Sequence, residues 1–226
     1  MSANPKPLDQ VVHTRRATND FDSSPIPDAD LKKILEAGQH APSGYNLQPW
    51  RFVVVRDEAQ RKALRGAAFH QPKVEAASAV IVAVAALKAW QQGDLDKVLA
   101  QSKEHGYTDQ QIEGMRKAVQ GALGGQPGDV CGWGPDWAVW GNRQVMIAFT
   151  HMMLMAETLG YDTAPMEGFV ESQVKNVLGI PADNSEFRVV AMLALGHVKG
   201  EDKKFSGRFP IDYIAYDNAW GKGLKL

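Results

Sequence analysis

Residues 41–55 read APSGYNLQPWRFVVV. The first ten of them hold two prolines and a glycine, a composition that interrupts a helix and predicts an ordered loop. Trp50 to Val55 then form a short run rich in aromatic and β-branched residues, which is typical of a strand. The sequence therefore predicts that a rigid loop enters a buried strand here.

The segments on either side of this loop predict a mixture of helices and strands. Upstream, residues 28–39 place Leu31, Ile34 and Leu35 at helical spacing, which predicts an amphipathic helix. Downstream, residues 79–86 are apolar throughout, which fits a strand covered on both faces. Further helices are predicted at 57–69 and 171–178, a strand and turn at 160–169, and a strong strand at 187–195.

Residues 137–159 contain fifteen apolar residues in twenty-three. This is too many for a helix with only one buried side. We interpret the segment as a central helix that is buried on most faces, with a second subunit as one possible cover.

No linker divides the 226 residues, so we predict one domain, 1–226, with two additions. The first is a helical and glycine-rich insertion at about 91–135, whose last part, 124–135, holds five glycines. The second is a C-terminal arm at about 197–226, which lacks periodicity and could wrap a partner.

Composition excludes several classes of protein. The chain has 25 Lys and Arg against 26 Asp and Glu, a net charge of −1, so no global field attracts nucleic acid or an anionic membrane. Cys131 is the only cysteine, which excludes an intramolecular disulfide. The first ten residues lack the apolar core of a signal peptide, and no apolar run is long and uncharged enough to span a bilayer. We therefore expect a cytoplasmic protein.

The common catalytic motifs are missing from the sequence. It contains no GxxxxGK[ST], no GxGxxG after a strand, no GxSxG and no HExxH, and its six histidines are scattered. No metal site is predicted. Arg15, Arg16 and Arg208 instead suit an anionic ligand, because guanidinium groups bind phosphate through paired hydrogen bonds.

The loop at 41–52 resembles the APSxxNxQPWxF signature of the FMN-dependent nitroreductase family. Other stretches are similar to family elements in the same order: RRATNDF at 15–21, LG at 159–160 leading to PMEGF at 165–169, and SGRFP at 206–210. The PMEGF form and FHQPK at 69–73 look closest to the oxygen-insensitive NAD(P)H nitroreductase and dihydropteridine reductase branch. Ala17, Asn19, His70 and Ser206 depart from the residues usual in the family.

The resemblance implies an α+β fold, a three-layer α-β-α sandwich with a mostly antiparallel sheet, in an intertwined homodimer that binds FMN at the subunit interface. It implies a cofactor-binding set: Arg15, Arg16, Ala17, Asn19, Ser43, Asn46, His70, Lys73, Pro165, Met166, Glu167, Gly168, Ser206 and Arg208.

Within this set the resemblance implies distinct roles. The three arginines hold the phosphate, while Ser43 and Asn46 reach the flavin from the partner chain. Lys73 and Glu167 are the implied catalytic residues. Lys73 lies near N1 and O2 of the flavin ring, where a cation favours the reduced state, and the backbone N–H of Glu167 or Gly168 faces N5.

The implied function is hydride transfer from NADH or NADPH through FMN to nitroaromatics, quinones or related electrophiles, by a ping-pong mechanism. Two alternatives remain open at this point. One is a flavoenzyme with a narrower reaction, such as alkene reduction or dehalogenation. The other is an FMN-binding protein without turnover that senses redox state.

Overall fold

The computed structural model describes residues 5–124, 137–200 and 205–224. Its helices are α1 (Leu8–Thr14), α2 (Asp28–Gln39), α3 (Glu58–Ala67), α4 (Pro72–Ala76), α5 (Leu95–Glu104), α6 (Asp109–Gly124), α7 (Trp137–Thr158), α8 (Glu171–Val177) and α9 (Ile211–Ile214). Its strands are β1 (Phe21–Asp22), β2 (Trp50–Val55), β3 (Ala79–Ala86), β4 (Asp162–Met166) and β5 (Phe187–Val198).

These strands form one sheet in the order β1-β5-β3-β2, and β4 also pairs with β5. Every pairing between named strands is antiparallel. Strand β1 pairs with residues 197 and 198 at the end of β5, and β4 pairs with residues 192–196 of the same strand.

Strand β3 shows why the sheet lies between two layers of helices. All of its residues are buried, and its side chains alternate between the faces. Val80, Val82 and Val84 pack with residues of α3, α4 and α8. Ile81 packs on the other face, with residues of α2 and α7. The expected α+β sandwich is therefore confirmed.

The predicted helices and strands are found with small differences at their ends. Helix α2 and strands β2 and β3 have the predicted bounds, whereas α3 ends at Ala67, because Phe69 and His70 adopt left-handed backbone angles. Strand β5 is longer than predicted. It continues past the predicted end at 195 and through residues 197 and 198 of the predicted arm, because β1 pairs with its end. Strand β1 and helices α1, α4 and α9 were not predicted, and α9 lies in the arm for which no regular structure was expected.

The predicted insertion contains two packed helices, α5 and α6. Leu95, Val98 and Val119 are buried, while Ile112 and Met115 are partly buried. The small core between these helices also includes Leu47 of the 41–50 loop and Trp140 of α7. Residues 125–136, with Cys131 and most of the predicted glycine-rich segment, lie outside the described residues.

The described part of the C-terminal arm is exposed. Phe205, Phe209, Tyr213 and Trp220 all present more than half of their surface to solvent. No helix within the described residues combines the length and the apolar character that a membrane span requires.

Helix α2 packs so closely on α7 that Gly38 leaves no space for a side chain. A Cβ at this position would lie 2.7 Å from Cγ of Met152, which is fully buried. We expect Gly38→Ala to lower the free energy of unfolding by about 1–3 kcal/mol, measured by urea denaturation. Gly66→Ala is the matched control, because Gly66 is exposed in α3 and nothing lies within 4 Å of a new Cβ. That variant should be unchanged or stabilised by about 0.5–1 kcal/mol, and equal effects of the two substitutions would contradict the packing.

Candidate functional site

The segment that carries Arg15 to Asn19 lies along strand β4. Helix α1 ends at Thr14, and the backbone N–H of Arg15 still donates to Val11 O at 2.9 Å. Beyond it, Ala17 forms a parallel bridge with Thr163, and the N–H of Thr18 donates to Thr163 O at 3.1 Å. The N-terminal arginines are therefore fixed beside the strand that leads to residues 165–168.

A turn between α3 and α4 joins the same region. Phe69 and His70 have φ of 52° and 57°, two consecutive left-handed residues without glycine, a strained arrangement common at functional sites. Gln71 Nε2 donates to Gly168 O at 2.9 Å and to Ala68 O at 3.1 Å. This side chain thus ties the turn at 69–73 to the turn after β4.

Lys73 connects this turn to the N-terminal segment. Its Nζ donates to Oδ1 of Asn19 at 3.2 Å. Partial burial lowers the pKa of Lys73 below its usual 10.5. Asn19, which stands where the family commonly has a basic residue, therefore supplies an oxygen that holds the lysine.

Arg15 provides a direct test of whether an anion fits here. Its Nη1 is buried and finds no hydrogen-bond partner among the described residues, although a buried donor normally has one. Arg16 Nη1 donates to the carbonyls of His13 and Arg15 at 2.8 and 2.7 Å. In the parts of the chain that the structure describes, neither arginine forms an ion pair, and the same holds for Lys73 and Arg208. A phosphate group would satisfy this surplus of positive charge and donors.

The turn after β4 exposes backbone N–H groups beside these residues. Pro165, Glu167 and Gly168 are exposed, whereas the side chain of Met166 is buried in the core. Over the described residues, the N–H groups of Glu167 and Gly168 donate no hydrogen bond, so both are available to a ligand. Met166 can contribute through its backbone but not through its side chain.

Ser43 and Asn46 are not brought to these residues within one chain. Ser43 Oγ accepts from the N–H of Gln48 at 3.0 Å, and the N–H of Gly44 donates to Gln144 of α7 at 2.8 Å. Asn46 instead lines a cavity of about 600 Å³ beside the end of α5. This position is the one expected if the pair serves the site of a second chain.

The nitroreductase family model matches residues 12–197, which is most of the chain. The chain belongs to the nitroreductase family. A Thermus thermophilus protein named NADH dehydrogenase is 34% identical over 203 residues, 88% of this chain and 90% of that protein. The resemblance drawn from the 41–52 loop is therefore confirmed, as is the interpretation of the chain as an oxidoreductase.

Solved nitroreductase structures share the fold. A nitroreductase-type protein of Exiguobacterium sibiricum, solved in complex with FMN, has a TM-score of 0.81 at 28% identity and covers 95% of this chain and 99% of its own. The ydfN protein of Bacillus subtilis has a TM-score of 0.80 at 27% identity and covers 93% of this chain and 98% of its own.

Sequence reasoning missed two residues that contact the candidate site residues. Gln71 lies between two expected residues, but nothing in the sequence indicates that it bonds Gly168, nearly a hundred positions away. Phe205, at the start of the described arm, lies close to both Arg16 and Arg208. The remaining expected residues, Ala17, His70 and Ser206, are exposed at the edge of the group.

Proposed function

We propose that this nitroreductase is an FMN-dependent enzyme that takes hydride from NADH or NADPH and passes two electrons to nitroaromatics, quinones or related electrophiles. The observation that carries the proposal is the buried Arg15 Nη1, which has no hydrogen-bond partner among the described residues. Its segment bridges at Ala17 to Thr163 of β4, the strand that leads to the exposed backbone at 165–168. The FMN-bound relative of the same fold supports this choice of cofactor.

Three arginines bind the phosphate in this proposal. Arg15 supplies a buried donor. A hydrogen bond from a buried donor to an anion contributes more binding free energy than one from a solvated donor. Arg16 is held in place by two backbone carbonyls, so that binding costs little side-chain entropy. Arg208, from the arm, completes the set.

Lys73 and the turn at 165–168 act on the flavin ring. FMN, when bound, supplies the hydride chemistry. Lys73, oriented by Asn19, offers a partly desolvated cation that stabilises negative charge on the ring. The N–H groups of Glu167 and Gly168 orient the ring. A Cβ at position 168 would lie 3.3 Å from Gln71 Nε2, so the end of the Gln71 side chain would have to shift by a few tenths of an ångström.

The protein should work as a homodimer. Ser43 and Asn46 lie away from the cations of their own chain, and the arm exposes Phe209, Tyr213 and Trp220. A second copy would cover these apolar side chains and bring the loop to the other site. Light scattering should give twice the mass of one chain, whereas a monomer that still binds FMN would contradict the shared site.

Steady-state kinetics test the proposed reaction. With FMN-loaded protein, NADH and NADPH should each be tried against a panel of nitroaromatics, quinones, enones and halogenated compounds. Parallel double-reciprocal lines are expected, because donor and acceptor use the same flavin face in turn. Intersecting lines would indicate a ternary complex. If neither NADH nor NADPH bleached the flavin under anaerobic conditions, the result would favour a protein without turnover.

A further inference from the structure

Phe205 lies between two of the arginines that the proposed function assigns to the phosphate. The guanidinium carbon of Arg16 is 4.1 Å from the centre of its ring, and that of Arg208 is 5.5 Å away. The ring is 57% exposed, at the start of the described part of the arm. One solvent-facing aromatic side chain therefore has two cations as close neighbours.

This arrangement has an electrostatic consequence. Two guanidinium groups near one another repel. Without an anion between them, the two arginine side chains should therefore move apart. The negative face of an aromatic ring attracts each cation within about 6 Å. Phe205 thus offsets part of the repulsion and keeps both cations in one place before any ligand arrives.

The contacts also leave hydrogen-bond donors available. Attraction to the ring draws on the charge of the guanidinium and needs no acceptor atom. Arg16 uses Nη1 for backbone carbonyls, and Arg208 uses Nη1 for Gly207 O at 2.6 Å. The other nitrogen atoms of both side chains have no hydrogen-bond partner within the described residues, so they can turn toward an anion.

We infer that Phe205 is a positioning residue for the phosphate of the cofactor: its ring holds Arg16 and Arg208 together as a preformed phosphate clamp. This inference rests on the proposed function. Phe205 acts through the two arginines, so it should matter for a ligand with a phosphate and not for the same ligand without one. A residue that only anchored the arm, or that touched the flavin ring, would affect both ligands alike.

The test compares the dissociation constants of FMN and riboflavin, measured by the change in flavin fluorescence on adding flavin-free protein. Phe205→Leu keeps an apolar side chain but removes the aromatic face. We expect it to weaken the binding of FMN about five- to thirtyfold, because two exposed cation–π contacts are lost. The affinity for riboflavin should stay unchanged. Phe205→Tyr should restore FMN binding, because it restores the ring.

Phe209→Leu removes another exposed ring of the same arm, one that contacts Tyr213 at 4.9 Å and lies on the face that the proposed homodimer covers. Any loss of binding that it causes through the dimer should be the same factor for FMN and for riboflavin. The inference is wrong if Phe205→Leu binds FMN as the wild type does, or loses FMN and riboflavin by the same factor. Wild-type protein that binds neither flavin would overturn the proposed function itself, which distinguishes the two failures.

Discussion

Arg15→Met should lower the affinity for FMN by about tenfold to a hundredfold without destabilising the flavin-free protein. The lost interaction is a charge-assisted contact with phosphate, worth about 1.5–3 kcal/mol. In the flavin-free chain the substitution removes a buried donor that has no partner among the described residues, so the melting temperature should stay the same or rise. Titration with FMN and thermal unfolding without FMN measure the two effects.

This pair of results separates a binding residue from a structural one. Arg56→Met is the control, because Arg56 is exposed and forms an ion pair with Asp28 on the surface. It should leave FMN affinity unchanged. If Arg15→Met instead unfolds the flavin-free protein and binds FMN normally in the folded fraction, Arg15 supports the structure and does not hold the phosphate.

Lys73→Met should lower the reduction potential of the bound flavin by about 30–60 mV. This corresponds to losing an interaction of about 1.5–3 kcal/mol with the charged, reduced cofactor in a two-electron step. Reduction by NADH or NADPH should slow as well. Potentiometric titration and anaerobic stopped-flow measurements give the two values.

Lys32→Met is the control for this substitution, because Lys32 is exposed on α2 and pairs with Glu36 one turn away. It should retain the wild-type potential. A Lys73→Met protein that binds FMN and keeps both the potential and the reduction rate would place Lys73 away from the ring, and the assignment of residues 69–73 would have to be abandoned.

The pKa of Lys73 adds a pH dependence with a definite sign. Burial lowers this pKa below 10.5, so in the flavin-free protein the side chain loses its charge at a lower pH than a solvated lysine. Raising the pH through that pKa removes the attraction for FMN and should weaken FMN binding. The Lys73→Met protein should lack this part of the pH dependence of FMN affinity. An identical pH profile in both proteins would show that Lys73 does not contribute to FMN binding through its charge.

Much of the fold could be predicted because local pattern and tertiary packing agree. The apolar run of β3 is buried on both faces, and the helical spacing of Leu31 and Ile34 places both in the core. Helix α1 was missed, because only Val11 of its seven residues is buried. A short helix with one buried residue leaves little periodicity to recognise.

The candidate site could be predicted only as separate pieces. The arginines, Lys73 and the turn at 165–168 were expected from motifs, but the contacts that join them depend on the folded chain. The bond from Gln71 to Gly168 and the position of Phe205 between two arginines arise from backbone geometry and from the return of the arm. No local sequence pattern encodes such long-range neighbours.

The most direct test of the account is identification of the flavin that accompanies the native protein. The protein should be purified without added cofactor, denatured, and its supernatant separated by chromatography against FMN, FAD and riboflavin. We predict a yellow protein that releases FMN. A second portion of the native protein, titrated with added FMN, should reach about one FMN per chain in total. Release of FAD, or a colourless protein that does not bind added FMN, would contradict the proposed phosphate and ring contacts together.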